Sequence, residues 1–326
     1  MTTFHNPIAP FDAPDPFVTY DPVTGYYYSL ITRQDRLEIF RSRHAATLLT
    51  AGDTKVIFRA GAEHELYGDI WAPEMHKAPD GRWYVYSSGY EIPGHAENHR
   101  LFVMGSLSED PFGEWEYKGK PAPNLWGIDP TMYTAKNGKQ YMCFSHILTD
   151  EEGGMHNTLQ IREMENPWTF GEKHATLARA QYDWETVPPF SGRRTINEGP
   201  FFVAAGDRLF ILYSGNGCWM VEYCLRILEF TGGELCDAAS WHKHDKPVFT
   251  TGNGVYGPGH ASFFRSPDGT ELWIAHHAMN AYNENNRWAT RYMHLQKVEL
   301  SESGVLTPAH PVSDDTELLP PSGEID

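Results

Sequence analysis

Short alternating runs of apolar and polar residues, each five to ten long, punctuate the chain, and helical 3.6-residue periodicity is scarce. Many of these runs flank an Asp-Gly, Asn-Gly or Gly-Asp turn, the pattern a β-hairpin requires. Five segments share one plan: a polar or acidic residue near a Pro, a turn with Gly, and an aromatic run closed by a small or polar residue. They are APDPFVTYDPVTGYYYSL from Ala13, DIWAPEMHKAPDGRWYVYSS from Asp69, GIDPTMYTAKNGKQYMCFS from Gly127, NEGPFFVAAGDRLFILYS from Asn197 and GPGHASFFRSPDGTELWIAHH from Gly257. Aligned on Pro16, Pro73, Pro130, Pro200 and Pro258, the unit recurs about every 55 to 70 residues. Each unit opens with two antiparallel strands. Runs such as LEIFRS at Leu37–Ser42, LFVMGS at Leu101–Ser106, TLQIREM at Thr158–Met164 and CLRILEF at Cys224–Phe230 supply a third, and a fourth is expected before the next unit, as in TKVIFRA. Four strands per unit, repeated, is the propeller pattern. The expectation is an all-β, five-bladed β-propeller over residues 1–326, a single domain with first strands starting near 14, 69, 127, 197 and 257. Residues 310–326 read as a peripheral tail with no strong period.

In a propeller the first strand of every blade lines the central channel, so equivalent positions converge on one axis. The residues at those strand heads are Asp15, Trp71 with Glu74, Asp129, Glu198 and His260. Asp-Pro alone is an ordinary turn opener. Three acids at equivalent places are different, because crowded carboxylates cost free energy unless paired, hydrated or used. Carboxylates facing across a channel suit glycosidic hydrolysis, where one protonates the leaving oxygen and another activates water. Inverting enzymes hold that pair about 6.5 to 9.5 Å apart to admit the water. A third carboxylate, the part suited to Asp129, raises the pKa of the proton donor by like-charge repulsion. Trp71, Trp126, Trp219 and Tyr256 offer flat apolar faces to a sugar ring.

Composition narrows the ligand. Forty-three acidic against 26 basic residues give a formal charge of -17, which repels nucleic acid and anionic membrane surfaces and favours a neutral or cationic ligand; with glycosidic chemistry at the strand heads that ligand would be a neutral oligosaccharide. No run of 18 apolar residues occurs, and the start MTTFHNPIAPFDAPD lacks the basic and apolar regions of a signal peptide, so a soluble, cytoplasmic protein is expected. Cys143, Cys218, Cys224 and Cys236 form no CxxC pair and are read as reduced, mostly buried thiols. GNGVYG at Gly252–Gly257 matches a dinucleotide pattern but runs into Pro258 and a strand where a helix should start. His95, Glu97 and His99 are not in metalloprotease order and are read as a solvated loop, and no GxSxG elbow occurs.

The motifs APDPF around Asp15, IWAPE at Ile70–Glu74, IDP at Ile128–Pro130, NEGPF at Asn197–Phe201 and GPGH at Gly257–His260 resemble glycoside hydrolase family 43, in order and over nearly the whole chain. The resemblance implies an inverting hydrolase with Asp15 as general base, Glu198 as general acid, and Asp129 orienting the acid and tuning its pKa. It also implies that His260 lies at the channel floor near a hydrated calcium or sodium ion, with no cofactor needed for the chemistry. No spacing of three His or carboxylate ligands meets the needs of catalytic zinc. Arg291, in RWATRYMHLQKV, would reach the sugar; a salt-bridged surface Arg is the competing reading. Within the family, YSGNGCWMVEYCLRIL and GVYGPGHASFF look most like the exo-acting α-L-arabinofuranosidases, with β-xylosidase and endo-arabinanase as alternatives. A non-catalytic sugar-binding propeller is the rival of another class, and a fructan-cleaving hydrolase is disfavoured because no WMNDPNG-like opening is present.

Overall fold

The computed structural model describes residues 3–93, 95, 98–185, 194–281 and 289–325. Five antiparallel sheets, each formed from strands consecutive in the chain, make five blades. The first holds β1 (Phe17–Asp21), β2 (Tyr26–Leu30), β3 (Arg36–Ser42) and β4 (Asp53–Arg59). The second holds β5 (Trp71–Lys77), β6 (Trp83–Tyr90), β7 (His99–Ser106) and β8 (Trp115–Gly119). The third holds β9 (Ile128–Thr134), β10 (Gln140–Thr149), β11 (Met155–Asn166) and β12 (Thr169–Ala178), with β13 (Arg194–Thr195) pairing parallel to β11. The fourth holds β14 (Asn197–Ala205), β15 (Arg208–Gly215), β16 (Cys224–Phe230) and β17 (Trp241–Lys243). The fifth holds β18 (Tyr256–Arg265), β19 (Leu272–Met279), β20 (Tyr292–Leu300) and β21 (Leu306–Thr307). The strand heads fall within three residues of the expected ones. Among the described residues no helix is long and apolar enough to cross a membrane.

Each first hairpin turns on a glycine in the left-handed region, Gly25, Gly81, Gly138, Gly206 and Gly269, with φ between 58° and 83°. In the two-residue loop between Ala205 and Arg208 such φ matches the strand twist, and in the longer loops of the other blades a left-handed residue closes the turn. Apolar faces of neighbouring blades then bury rings such as Tyr28, Phe102, Phe210 and Phe249 between them.

A second left-handed set has more consequence. The residue ahead of each aligned proline is left-handed in every blade: Asp15 φ 56°, Ala72 42°, Asp129 56°, Gly199 53° and Gly257 56°. Proline cannot donate to a ladder, so the chain bulges here. The pairing accordingly shifts register between Trp71 and Glu74, between Glu198 and Phe201, and between Tyr256 and Gly259. The bulge breaks the pleat and redirects the side chains at the strand heads. Below them, the rings of Phe17, His76, Phe201 and Phe263 meet at centroid distances of 5.3 to 6.4 Å and close the channel beneath the mouth.

Blades are tied head to neighbour by side chains of the preceding blade. Thr32 Oγ1 accepts from Ala72 N at 2.8 Å, and Ser145 Oγ donates to Asn197 O at 2.9 Å. Ser214 Oγ accepts from His260 N at 2.7 Å, and His277 Nδ1 accepts from Asp15 N at 3.0 Å. The ring closes where Ser262 Oγ accepts from Val18 N and donates to Pro16 O, and where Asn6 exchanges two hydrogen bonds with the Leu295 backbone. The tail, peripheral in position, is bound in. Leu318 bridges Phe4, Asp314 Oδ1 meets His294 Nε2 at 3.0 Å, and Glu324 Oε1 accepts from Ala45 N.

The backbone constraint separates two substitutions. Ala72→Gly removes a strained L-residue from φ 42° and is expected to leave stability within about 1 kcal/mol of the parent or raise it. Gly199→Ala adds that strain and places a Cβ 2.9 Å from His260 Cγ, so it is expected to lower stability by about 2 kcal/mol or more. Thermal unfolding of both variants checks this; equal losses would contradict it.

Candidate active site

Asp15 and Asp129 head blades 1 and 3 at the same pre-proline position, both buried. Glu198, one residue earlier in its blade, occupies the place that Trp71 and Tyr256 hold in theirs. The structure brings the acids together: Asp129 Oδ2 accepts from Gly199 N at 3.1 Å, the amide immediately after Glu198, and Asp129 feels the charges of both Glu198 and Asp15.

The surroundings of the two aspartates are opposite in sign. Asp15 Oδ1 has His260 Nδ1 at 3.2 Å and Arg291 Nη1 at 3.4 Å, while Oδ2 accepts from Thr32 Oγ1 at 2.6 Å. Burial alone would raise its pKa, but His260 and Arg291 overcome that and hold it well below the usual carboxylate range. Asp129 is pushed well above that range, first by burial and then by the like charges of Glu198 and Asp15. The Asp129–Glu198 pair therefore retains a proton that Asp15 does not.

His277 is a fixed, neutral element. The Asp15 N–H can only donate, so His277 Nδ1 accepts and the proton sits on Nε2. Its approach of 3.3 Å to Asp15 Oδ1 is then a polar contact and not a hydrogen bond. Burial pushes its pKa down to about 4, in keeping with neutrality. Burial also lowers that of His260. The groups facing His260 include the acids Asp15 and Glu74 and the Arg291 cation.

Arg291 is no surface cation. Its side chain is mostly buried, contacts Asp15, and lies 3.5 Å from the Cys218 Sγ, while its backbone N–H is held by Asp12. Residues 287 and 288 of its sequence context lie outside the described residues. Glu74 sits deeper along β5 than Trp71, buried, with His76 Nε2 at 2.7 Å. Trp71 is half-buried, its Nε1 donating to Gln34. Trp126 is half-buried ahead of β9, its carbonyl held by His146. Trp219 lies over Gly217, and Tyr256 opens β18 at the position equivalent to Glu198.

The solvated-loop reading of His95 and His99 fails at His99, while Glu97 lies outside the described residues. His99 begins β7, is 1% exposed, stacks on Trp71 at 4.2 Å and meets Trp126 edge-on at 6.4 Å. It makes the two tryptophans one aromatic row. Sequence reasoning also passed over Thr32, Ser214, Tyr223 and His277. A signal was present in the polar residue that closes each aromatic run, since Ser214 and His277 are of that kind.

Behind Glu198, Asn197 Oδ1 accepts from Arg226 at 2.7 Å, and Arg226 is itself paired with the fully buried Glu185 at 2.9 Å. Lys243 reaches the same carboxylate at 2.7 Å. Buried charges persist only when paired, so this triad anchors the head of β14.

Residues 4–306 match the family model described as Glycosyl hydrolases family 43. Two relatives named extracellular exo-alpha-(1->5)-L-arabinofuranosidase are similar in sequence. The protein from Streptomyces chartreusis is 34% identical over 285 residues, 83% of this chain and 83% of the relative. That from Streptomyces avermitilis is 33% identical over 327 residues, 96% of this chain but 64% of the relative. The crystal structure of an alpha-L-arabinofuranosidase from Lactobacillus brevis superposes with a TM-score of 0.83 at 26% identity, covering 96% of this chain and 98% of that one. The extracellular relatives overturn the cytoplasmic expectation, because the opening residues of a chain inform on export only when a signal is there to be read. With a match that runs through all five blades, the chain belongs to glycosyl hydrolases family 43.

Proposed function

We propose that the chain is an exo-acting α-L-arabinofuranosidase that removes terminal arabinofuranose from arabino-oligosaccharides with inversion. The observation that carries the reading is the opposed setting of two equivalent aspartates: Asp15 contacts His260, Arg291 and Thr32, which favour its charged form, whereas Asp129 is buried beside the further acids Glu198 and Asp15, which disfavour its own. Hydrolysis needs such a pair of roles, a base and an acid, held by different environments. The names of the relatives supply the sugar.

In the mechanism, Asp15 takes a proton from a water as that water's oxygen bonds to the anomeric carbon. Glu198 gives its proton to the glycosidic oxygen as the bond from carbon to that oxygen breaks. Asp129 orients the acid through the Gly199 amide and discourages early loss of its proton by like-charge repulsion. Thr32, His260 and Arg291 fix the base and keep it anionic. Trp71, on its His99 support, and Trp126 offer rings to the sugar.

A calcium or sodium ion in the channel would have a structural or electrostatic part and sit near His260 through water. Among the described residues no three His, Cys, Asp or Glu side chains gather as a direct metal site requires. EDTA is expected to alter thermal stability where the ion is calcium and to leave it unchanged where it is sodium, in neither case with a loss of activity that zinc alone restores. Zinc-specific rescue would contradict this part.

Glu198→Gln is expected to slow substrates with poor leaving groups by roughly 10² to 10⁴ and activated aryl glycosides much less, the mark of a lost general acid. Asp15→Asn should suppress both alike, since water must be activated whichever aglycone departs. Equal oligosaccharide binding by parent and variants, with no turnover by any, would make the chain a sugar-binding propeller. Proton NMR of the first-formed sugar is expected to show the anomer opposite to the substrate. Release of the same anomer would overturn the inverting mechanism.

A further inference from the structure

Tyr223 is fully buried, and its hydroxyl donates to Glu198 Oε1 at 2.8 Å. Its ring lies parallel to His277, with centroids 5.5 Å apart and planes 6° from coincidence. His277 in turn holds the Asp15 backbone. One stacked pair thus joins the head of blade 4 to that of blade 1. The other ring edge lies on Gly259, where a Cβ would come within 2.3 Å of Tyr223 Cε1. The second glycine of GPGH is therefore a seat for the tyrosine, which gives that motif residue a physical reason.

We propose that Tyr223 is the positioning residue of the acid: its hydroxyl, braced by Gly259 and His277, fixes Oε1 of Glu198 so that the transferred proton is carried on Oε2. The inference rests on Glu198 being the acid. Two forces then act on Glu198 in opposite senses. Asp129 disfavours its charge, whereas a hydrogen bond donated by Tyr223 favours the charged form. The phenol itself stays a donor, because burial, Glu198 and the Cys218 neighbourhood push its pKa well above the ordinary value. A rigid parallel stack loses little freedom when the acid protonates and deprotonates, so the donor geometry persists through the cycle.

Tyr223→Phe keeps the ring and removes only the donor. It is expected to lower kcat/KM on oligosaccharides by roughly 10- to 100-fold, the worth of a hydrogen bond to a charged group, and to affect activated aryl glycosides less. The alkaline limb of its pH profile should move to higher pH, since the acid loses a partner that stabilised its charged form. Gly259→Ala, which keeps the tyrosine's hydroxyl but displaces the ring that carries it, should reproduce both effects, with circular dichroism and thermal unfolding reporting whether it folds. An unmoved alkaline limb in Tyr223→Phe, or equal losses on both substrate types, would overturn the inference even if Gly259→Ala does not fold. Failure of the underlying assignment looks different: Glu198→Gln would then show no leaving-group dependence, whatever Tyr223→Phe does.

Discussion

At the head of each innermost strand the residue ahead of a proline is held in the left-handed region, and the placement of the site follows from it. The proline supplies no N–H and the bulge supplies an extra residue, so the strand cannot continue its pleat through this point. Side chains that would otherwise alternate between faces are redirected at the mouth. Holding a non-glycine residue there costs about 1 to 3 kcal/mol. The cost falls on Asp15, Ala72 and Asp129, and cross-blade hydrogen bonds offset it: Thr32 to Ala72, His277 to Asp15, and Gly199 to Asp129. Aspartate is among the residues that tolerate this region best, which fits its use in two of the five blades.

The same geometry gives the site its chemical asymmetry. Asp15 and Asp129 share a backbone angle, a blade position and deep burial, yet are driven in opposite directions. Desolvation favours the neutral form of each. For Asp15 the blade 5 groups His260 and Arg291 reverse that preference, whereas Asp129 faces further acids and is pushed the same way as by burial. Blade identity, through the neighbours it brings, sets which carboxyl keeps a proton. A fivefold scaffold therefore yields distinct roles without distinct backbones.

Rigidity extends outward from these groups by stacking and buried charge. Tyr223 on His277, and Trp71 on His99, each pair an aromatic ring with a buried histidine. Arg226 and Lys243 on Glu185 hold Asn197 from behind. Such supports order the site before substrate arrives, so little of the binding free energy is spent on arranging it.

Much of the architecture was legible in the sequence because it is local. Alternation marks a strand within a few residues, a glycine in a tight turn must take φ > 0, and repetition of Pro16, Pro73, Pro130, Pro200 and Pro258 puts equivalent residues on one axis. That was enough to name five blades, all-β, and the three acids at their heads. The side-chain environments were not local. His277 lies 262 residues from Asp15 and Arg291 lies 276 from it, and no periodicity in the chain encodes that they meet. For the same reason the polar string around His99 read as solvated when its neighbour in space is Trp71, and Tyr223 passed unnoticed beneath Glu198. Sequence by itself determined where the carboxylates stand; only the tertiary structure decided which is charged, because burial and the approach of distant cations and acids set a proton's free energy.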